Sequence, residues 1–216
     1  MGIRCLLTAY AVSFCLHFTT SASASLIAEW NFDDSDLIAD SGSQVSTSGL
    51  TTTGGTVSFP TRGGGNALHL GGSTDPQSFT IELSGTGLSD FQINYEGVSD
   101  VFVFFFTFQT SFEQSWSWST DNVNFSTAGI TTQPGPITST GGYDSFLVDL
   151  AGVSAIENAP SVFLRNDIQP VLGGTTSLRF DNLSVTAVPE PSGLIAMLLG
   201  LVILCTAGKR FLKPHH

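Results

Sequence analysis

The chain has 216 residues, of which 41% are hydrophobic and only 12% charged, with 7 Lys and Arg against 18 Asp and Glu. That charged fraction is about half the roughly 25% of an ordinary soluble domain, and a net charge of −11 repels phosphate, so no nucleic-acid partner is expected. Coiled coils and helical bundles are excluded as well, since no long stretch is rich in Ala, Glu, Lys and Leu.

At the N-terminus Arg4 precedes an apolar stretch from Cys5 to Leu16, and the small residues Ser21-Ala22-Ser23-Ala24 follow. A basic start, a short apolar run and a small-x-small site read as a secretory signal peptide over residues 1–24, cut between Ala24 and Ser25. The apolar run is too short to be an anchor, because a span needs roughly 20 residues. Export through the Sec machinery and cleavage by signal peptidase follow from this reading.

Residues 25–187 form a different object. They hold no cysteine, three arginines (Arg62, Arg165, Arg179) and seventeen acids, a formal charge of −14. Gly, Ser, Thr, Asn and Asp punctuate short apolar or alternating runs, and no helical period is sustained. The expected strands are Leu26–Phe32, Thr56–Phe59, Ala67–Leu70, Ser78–Leu83, Phe91–Tyr95, Val101–Gln109, Ser115–Ser119, Ser145–Leu150, Ser161–Leu164 and Ser177–Val185. Spacing of this kind predicts an all-β, two-sheet β-sandwich, with Ser41–Thr56 and Thr127–Gly142 as long surface loops. About 160 residues bury a sizeable core without disulfides.

Two segments resemble known sandwiches. Glu29-Trp30-Asn31-Phe32-Asp33-Asp34, then Asp40-Ser41-Gly42 and Gly65-Asn66-Ala67-Leu68-His69-Leu70, look like the opening of concanavalin-type, laminin-G-like jelly rolls. Ser177 to Val185 resembles a closing strand found in several carbohydrate-binding modules. The resemblance implies a jelly roll whose first and last strands lie together. It also implies a structural calcium between them, drawing on Asp33 or Asp34 and Asp181; turn and cap roles are the commoner use of such carboxylates. Ser119 to Ser126 is similar to a hairpin recurrent in secreted sandwiches, with Asn122 in the place of a glycine, as left-handed geometry allows.

Candidate chemistry in this segment is sparse. His69 is its one histidine, it has no cysteine, and no Gly-x-Ser-x-Gly elbow occurs, so no catalytic residues and no enzyme are expected. A glycoside-acting enzyme is the least favoured alternative and would need two converging carboxyls. Trp116 and Trp118 fall two apart on one strand face, where they either stack on sugar rings or fill the core, core being the commoner role. The expected role is therefore structural or interactive, in exopolysaccharide or the cell envelope, with a lectin-like carbohydrate-binding module that takes extracellular polysaccharide as the alternative.

The C-terminal residues 188–216 carry the most specific pattern. Pro189-Glu190-Pro191 removes two backbone donors and fixes an extended chain. Residues 193–208 follow without a charge, and then Lys209, Arg210 and Lys213 in the tail 209–216. An apolar span ending in basic residues keeps the tail cytoplasmic and the acidic segment outside. Tripeptide, transmembrane segment and basic tail together resemble the PEP-CTERM sorting signal of Gram-negative and related bacteria. The resemblance implies an exosortase as processing partner, a membrane-anchored precursor, and a product at the cell surface or in an exopolysaccharide matrix or biofilm.

Overall fold

The computed structural model describes residues 23–62, 65–71, 76–99, 111–138, 142–171 and 177–190. Within them the strands are β1 (Ser25–Trp30), β2 (Gly49–Thr53), β3 (Thr56–Ser58), β4 (Thr61–Arg62), β5 (Gly65–Asn66) and β6 (Leu68–Gly71). After these come β7 (Gln77–Leu83), β8 (Leu88–Ser99), β9 (Phe112–Ser119), β10 (Asp144–Asp149), β11 (Val162–Pro170) and β12 (Ser177–Pro189). One sheet has the order β10-β8-β12-β6-β3, with β1 also on β12, and the other has the order β2-β7-β11-β9. β4 and β5 form a separate ribbon. The protein is an all-β, two-sheet sandwich, as the spacing of apolar runs predicts. The expected signal helix, transmembrane helix and strand Val101–Gln109 fall on residues outside the described ones.

Alternation builds both sheets. On β7, Gln77, Phe79, Ile81 and Leu83 point inward while Ser78, Thr80 and Glu82 point out. Between the sheets Phe79 meets Trp116 and Phe180 edge-on at 5.3 and 5.1 Å, and Tyr95 stacks on Phe146 at 5.2 Å. β12 is long enough to take two neighbours on one side. It pairs with β6 as far as Phe180 and with β1 from Leu183 on, and a bulge with Asn182 at φ 50° marks the change. First and last strands are therefore adjacent.

A polar line crosses this apolar core. The buried Tyr95 hydroxyl donates to Gln114 Oε1 (2.5 Å) and accepts from Trp116 Nε1 (3.1 Å). Asn166 Nδ2 donates to the same Gln114 oxygen (3.2 Å), and Gln114 Nε2 donates to the Gly135 carbonyl (2.7 Å). Burial holds the Tyr95 hydroxyl protonated far above its ordinary range.

Two expected loops carry more structure than their composition suggests. Ser41–Thr56 contains β2, whose Gly-Leu-Thr-Thr-Thr has one apolar residue and so no visible alternation. Thr127–Gly142 is no free loop over its described part: Ile137 and the side chain of Gln133 bond to Phe112 and Trp116 and, with Ser126 just before the segment on Trp118, cover the edge of β9. Its Thr131 also donates to Asp149 on β10, so the segment ties the two sheets together along one side.

Candidate functional site

The outward face of the sheet β2-β7-β11-β9 presents three rows of side chains, each running across four strands. Thr51, Thr80, Arg165 and Ser117 make one, and Thr53, Ser78, Asp167 and Ser115 the next. Gly49, Glu82, Phe163 and Ser119 make the third. In the first two rows Thr51, Thr53, Ser78, Thr80 and Ser115 bring five hydroxyls to the surface around one arginine and one aspartate, whereas Ser117 is buried and donates to the Arg165 carbonyl (3.5 Å). Four strands at their usual spacing span about 14 Å.

Arg165 sits at the centre. Its guanidinium carbon lies 3.8 Å from the centroid of the Phe125 ring, and its Nε donates to Asp167 Oδ2 at 3.0 Å. Phe125 is brought there by the loop after β9, which Asp121 holds. The Asp121 carboxylate accepts from Ser119 Oγ (2.7 Å), from the backbone N–H of Val123 and Asn124 (2.9 and 2.8 Å), and from Asn124 Nδ2 (2.7 Å). The backbone N–H and amide of Asn124 hold that carboxyl well below its ordinary value, with Ser119 and Val123 adding to the effect. Asn122 adopts φ 58°, so the asparagine fills the glycine position of this hairpin. Trp118 and Ser126 close the loop through a pair of 2.9 Å backbone hydrogen bonds.

The structure separates the two expected tryptophans from this surface. Trp116 is fully buried between the sheets and cannot stack on a sugar, because its strand position points inward against Phe79 and Tyr95. Trp118 points the same way, is half-buried against the core, and donates from Nε1 to the Ala128 carbonyl (2.8 Å). Among the described residues the aromatic rings on the outward side of this sheet are Phe163 on β11 and Phe125 on the loop after β9. Neither was legible in the sequence as a surface group, and nor was Arg165; its rarity, one of three arginines in residues 25–187, was the available signal.

The expected acidic residues are partly brought together. Burial raises the Asp181 carboxyl, and the charges of Glu96 and Asp33 raise it further against one hydrogen bond from the Asn182 N–H. Asp33 Oδ1 accepts from the Asn66 N–H (2.9 Å), and Asp34 is exposed. Among the described residues no three His, Cys, Asp or Glu side chains are grouped so as to hold a metal ion. His69 lies on a strand face between two hydroxyls, with Ser58 Oγ 2.9 Å from Nδ1 and Ser177 Oγ 2.8 Å from Nε2.

The start of the first strand and the end of the last lie at one end of the sandwich. β1 begins at Ser25, opposite Ala187, and β12 ends at Pro189. Glu190 continues onto the rim: its N–H donates to the Gly87 carbonyl (2.8 Å) and its Oε1 accepts from Asn158 Nδ2 (2.7 Å). Asn158 Oδ1 in turn accepts from the Gly87 N–H (2.8 Å). Pro191 and the basic residues Lys209, Arg210 and Lys213 lie outside the described residues.

The two-sheet sandwich is also the fold of solved carbohydrate-binding domains. The chain is similar to the CBM22-1 xylan-binding domain of Paenibacillus barcinonensis Xyn10C, at 10% identity and TM-score 0.52, over 80% of this chain and 100% of that one. It is similar too to the CBM22-1-CBM22-2 tandem domain of the same protein, at 12% identity and TM-score 0.51, over 81% of this chain and 50% of the tandem. At these identities the likeness is one of fold. No protein-family model and no curated protein matches the chain.

Proposed function

We propose that the protein is an exported, non-catalytic module that binds polysaccharide on the outward face of β2, β7, β11 and β9. The observation that carries this reading is the array of five hydroxyls, on Thr51, Thr53, Ser78, Thr80 and Ser115, around Arg165 and Asp167, with Phe125 and Phe163 beside them. Hydroxyls donate and accept alike, a planar guanidinium donates in pairs, and aromatic rings cover the apolar faces of sugars. The fold shared with a xylan-binding domain supports the reading. The face is not the tryptophan pair that the sequence offered as the less common alternative to core packing, and the ligand class is that alternative's polysaccharide.

Export and sorting form the second part of the proposal. A cut after Ala24 leaves β1 whole, and a cut beyond the first proline of Pro189-Glu190-Pro191 leaves β12 whole. Both reactions, by signal peptidase and by an exosortase, would thus release an intact sandwich at the cell surface. Affinity electrophoresis of the full-length protein in gels cast with different polysaccharides tests binding: retardation by at least one polymer is expected, and unchanged mobility in all of them overturns the binding reading. The intact mass of the protein from its host's envelope tests sorting. Loss of residues 1–24 and of the segment beyond the tripeptide is expected, whereas a mature chain that keeps Lys209 to His216 removes the exosortase from the account.

A further inference from the structure

We infer that Arg165 sets the ligand class of this face, by gripping a pair of neighbouring hydroxyl oxygens on an uncharged polysaccharide. This rests on the polysaccharide-binding reading above. A guanidinium carries five N–H donors in a rigid fork. In Arg165 one of them, at Nε, is used on Asp167 Oδ2 at 3.0 Å, and the plane is laid over Phe125 at 3.8 Å. The two terminal nitrogens, with four N–H donors, have no protein partner among the described residues, and the side chain is 32% exposed. The fork is thus fixed in orientation from one side and open on the other, and little freedom is left to lose when a ligand binds.

An open fork of this kind fits two acceptor geometries, a carboxylate or two adjacent sugar hydroxyls. Charge separates them. Asp167 already neutralises Arg165, Glu82 and Glu113 share this sheet face on β7 and β9, and Asp121 lies in the loop that carries Phe125, so these five residues carry a net −3. The remaining arginines of residues 25–187, Arg62 and Arg179, are not on these four strands. A uronate or sulfated chain meets repulsion here at low salt, whereas a neutral glycan meets none. Thr80 and Thr51 continue the Arg165 row on one side and supply hydroxyls for a neighbouring ring, and Ser115 does so beside Asp167.

The test is affinity electrophoresis of the full-length protein and of R165K and F125L, against xylan, β-1,3-1,4-glucan and galactan as neutral probes and polygalacturonate as an anionic one. R165K keeps the charge and loses the fork, and F125L keeps the arginine and loses its support. Wild type is expected to be retarded by a neutral polymer with little dependence on salt. R165K is expected to weaken that binding roughly tenfold to a hundredfold at unchanged Tm, with F125L between the two. Neutral-polymer binding that is equal in wild type, R165K and F125L would overturn the inference and leave the function standing. So would retardation by polygalacturonate alone. Retardation by no polymer removes the function and the inference together.

Discussion

The side-chain amide of Gln133 lies against the peptide of Trp116 as a strand would, accepting from its N–H at Oε1 (2.9 Å) and donating from Nε2 to its carbonyl (2.8 Å). Gln44 does the same to Ser84 across the molecule, accepting from its N–H and donating to its carbonyl at 2.7 Å each. Both glutamines satisfy backbone groups that would otherwise be left to water or to another chain.

Gln133→Ala is therefore expected to cost about 1–3 kcal/mol, the net worth of two such hydrogen bonds, and to expose part of the edge of β9. A lower denaturation midpoint checks the first effect. Light scattering at raised concentration checks the second, since a bared edge pairs with its like.

The core network gives two opposite expectations. Asn166 is fully buried and its Oδ1 has no hydrogen-bond partner, so this residue brings a desolvated carbonyl into an apolar layer. Asn166→Leu is expected to leave stability unchanged or to raise it by about 1 kcal/mol. Gln114→Leu removes the acceptor of Tyr95 and Asn166 at once and is expected to cost about 2–5 kcal/mol. Urea titrations of the two variants separate them.

The sandwich was legible in the sequence wherever apolar residues alternate, and illegible where the inward residue is polar. The expected strand Ser161–Leu164 stops where polar residues begin, whereas β11 runs to Pro170, with Asn166 facing inward and bonded to Gln114. The candidate site was hidden for a related reason. Trp116 and Trp118 were visible as a pair, but strand parity alone does not say which face is wet. Arg165 meets Phe125 across 40 positions of sequence, and its row of hydroxyls exists only in the register of four strands.

Asp181 predicts a pH dependence. Its folded-state value is raised above the ordinary 3.8, so the folded protein binds more protons than the unfolded chain in that window. Stability contributed by this group is present below 3.8 and is lost as pH rises through the raised value. Asp181→Asn keeps an acceptor for the Asn182 N–H and removes the charge facing Glu96 and Asp33. A higher Tm than wild type is expected at neutral pH, with the difference closing on acidification. Calcium titration of the same pair bears on the expected metal: an ion held through Asp181 raises the Tm of wild type and not that of the variant.

Asn158 predicts how the C-terminal segment leaves the domain. Its amide joins the Gly87 N–H to the Glu190 carboxylate, while the Glu190 N–H reaches the Gly87 carbonyl, so the acid of Pro189-Glu190-Pro191 is bound to the rim of the sandwich. Asn158 itself sits at φ 56°, a conformation that asparagine tolerates better than most residues. Asn158→Gly keeps that backbone and deletes both side-chain bonds. Hydrogen exchange at the amides of Gly87 and Glu190 is expected to speed up by roughly tenfold, with the rest of β12 unchanged. In a host that processes the tail, the variant is expected to be processed faster, because an enzyme that grips the tripeptide no longer competes with the clip. Faster exchange with unchanged processing would place the recognised residues beyond Glu190, and exchange that stays slow would mean that the backbone bond to Gly87 holds the segment by itself.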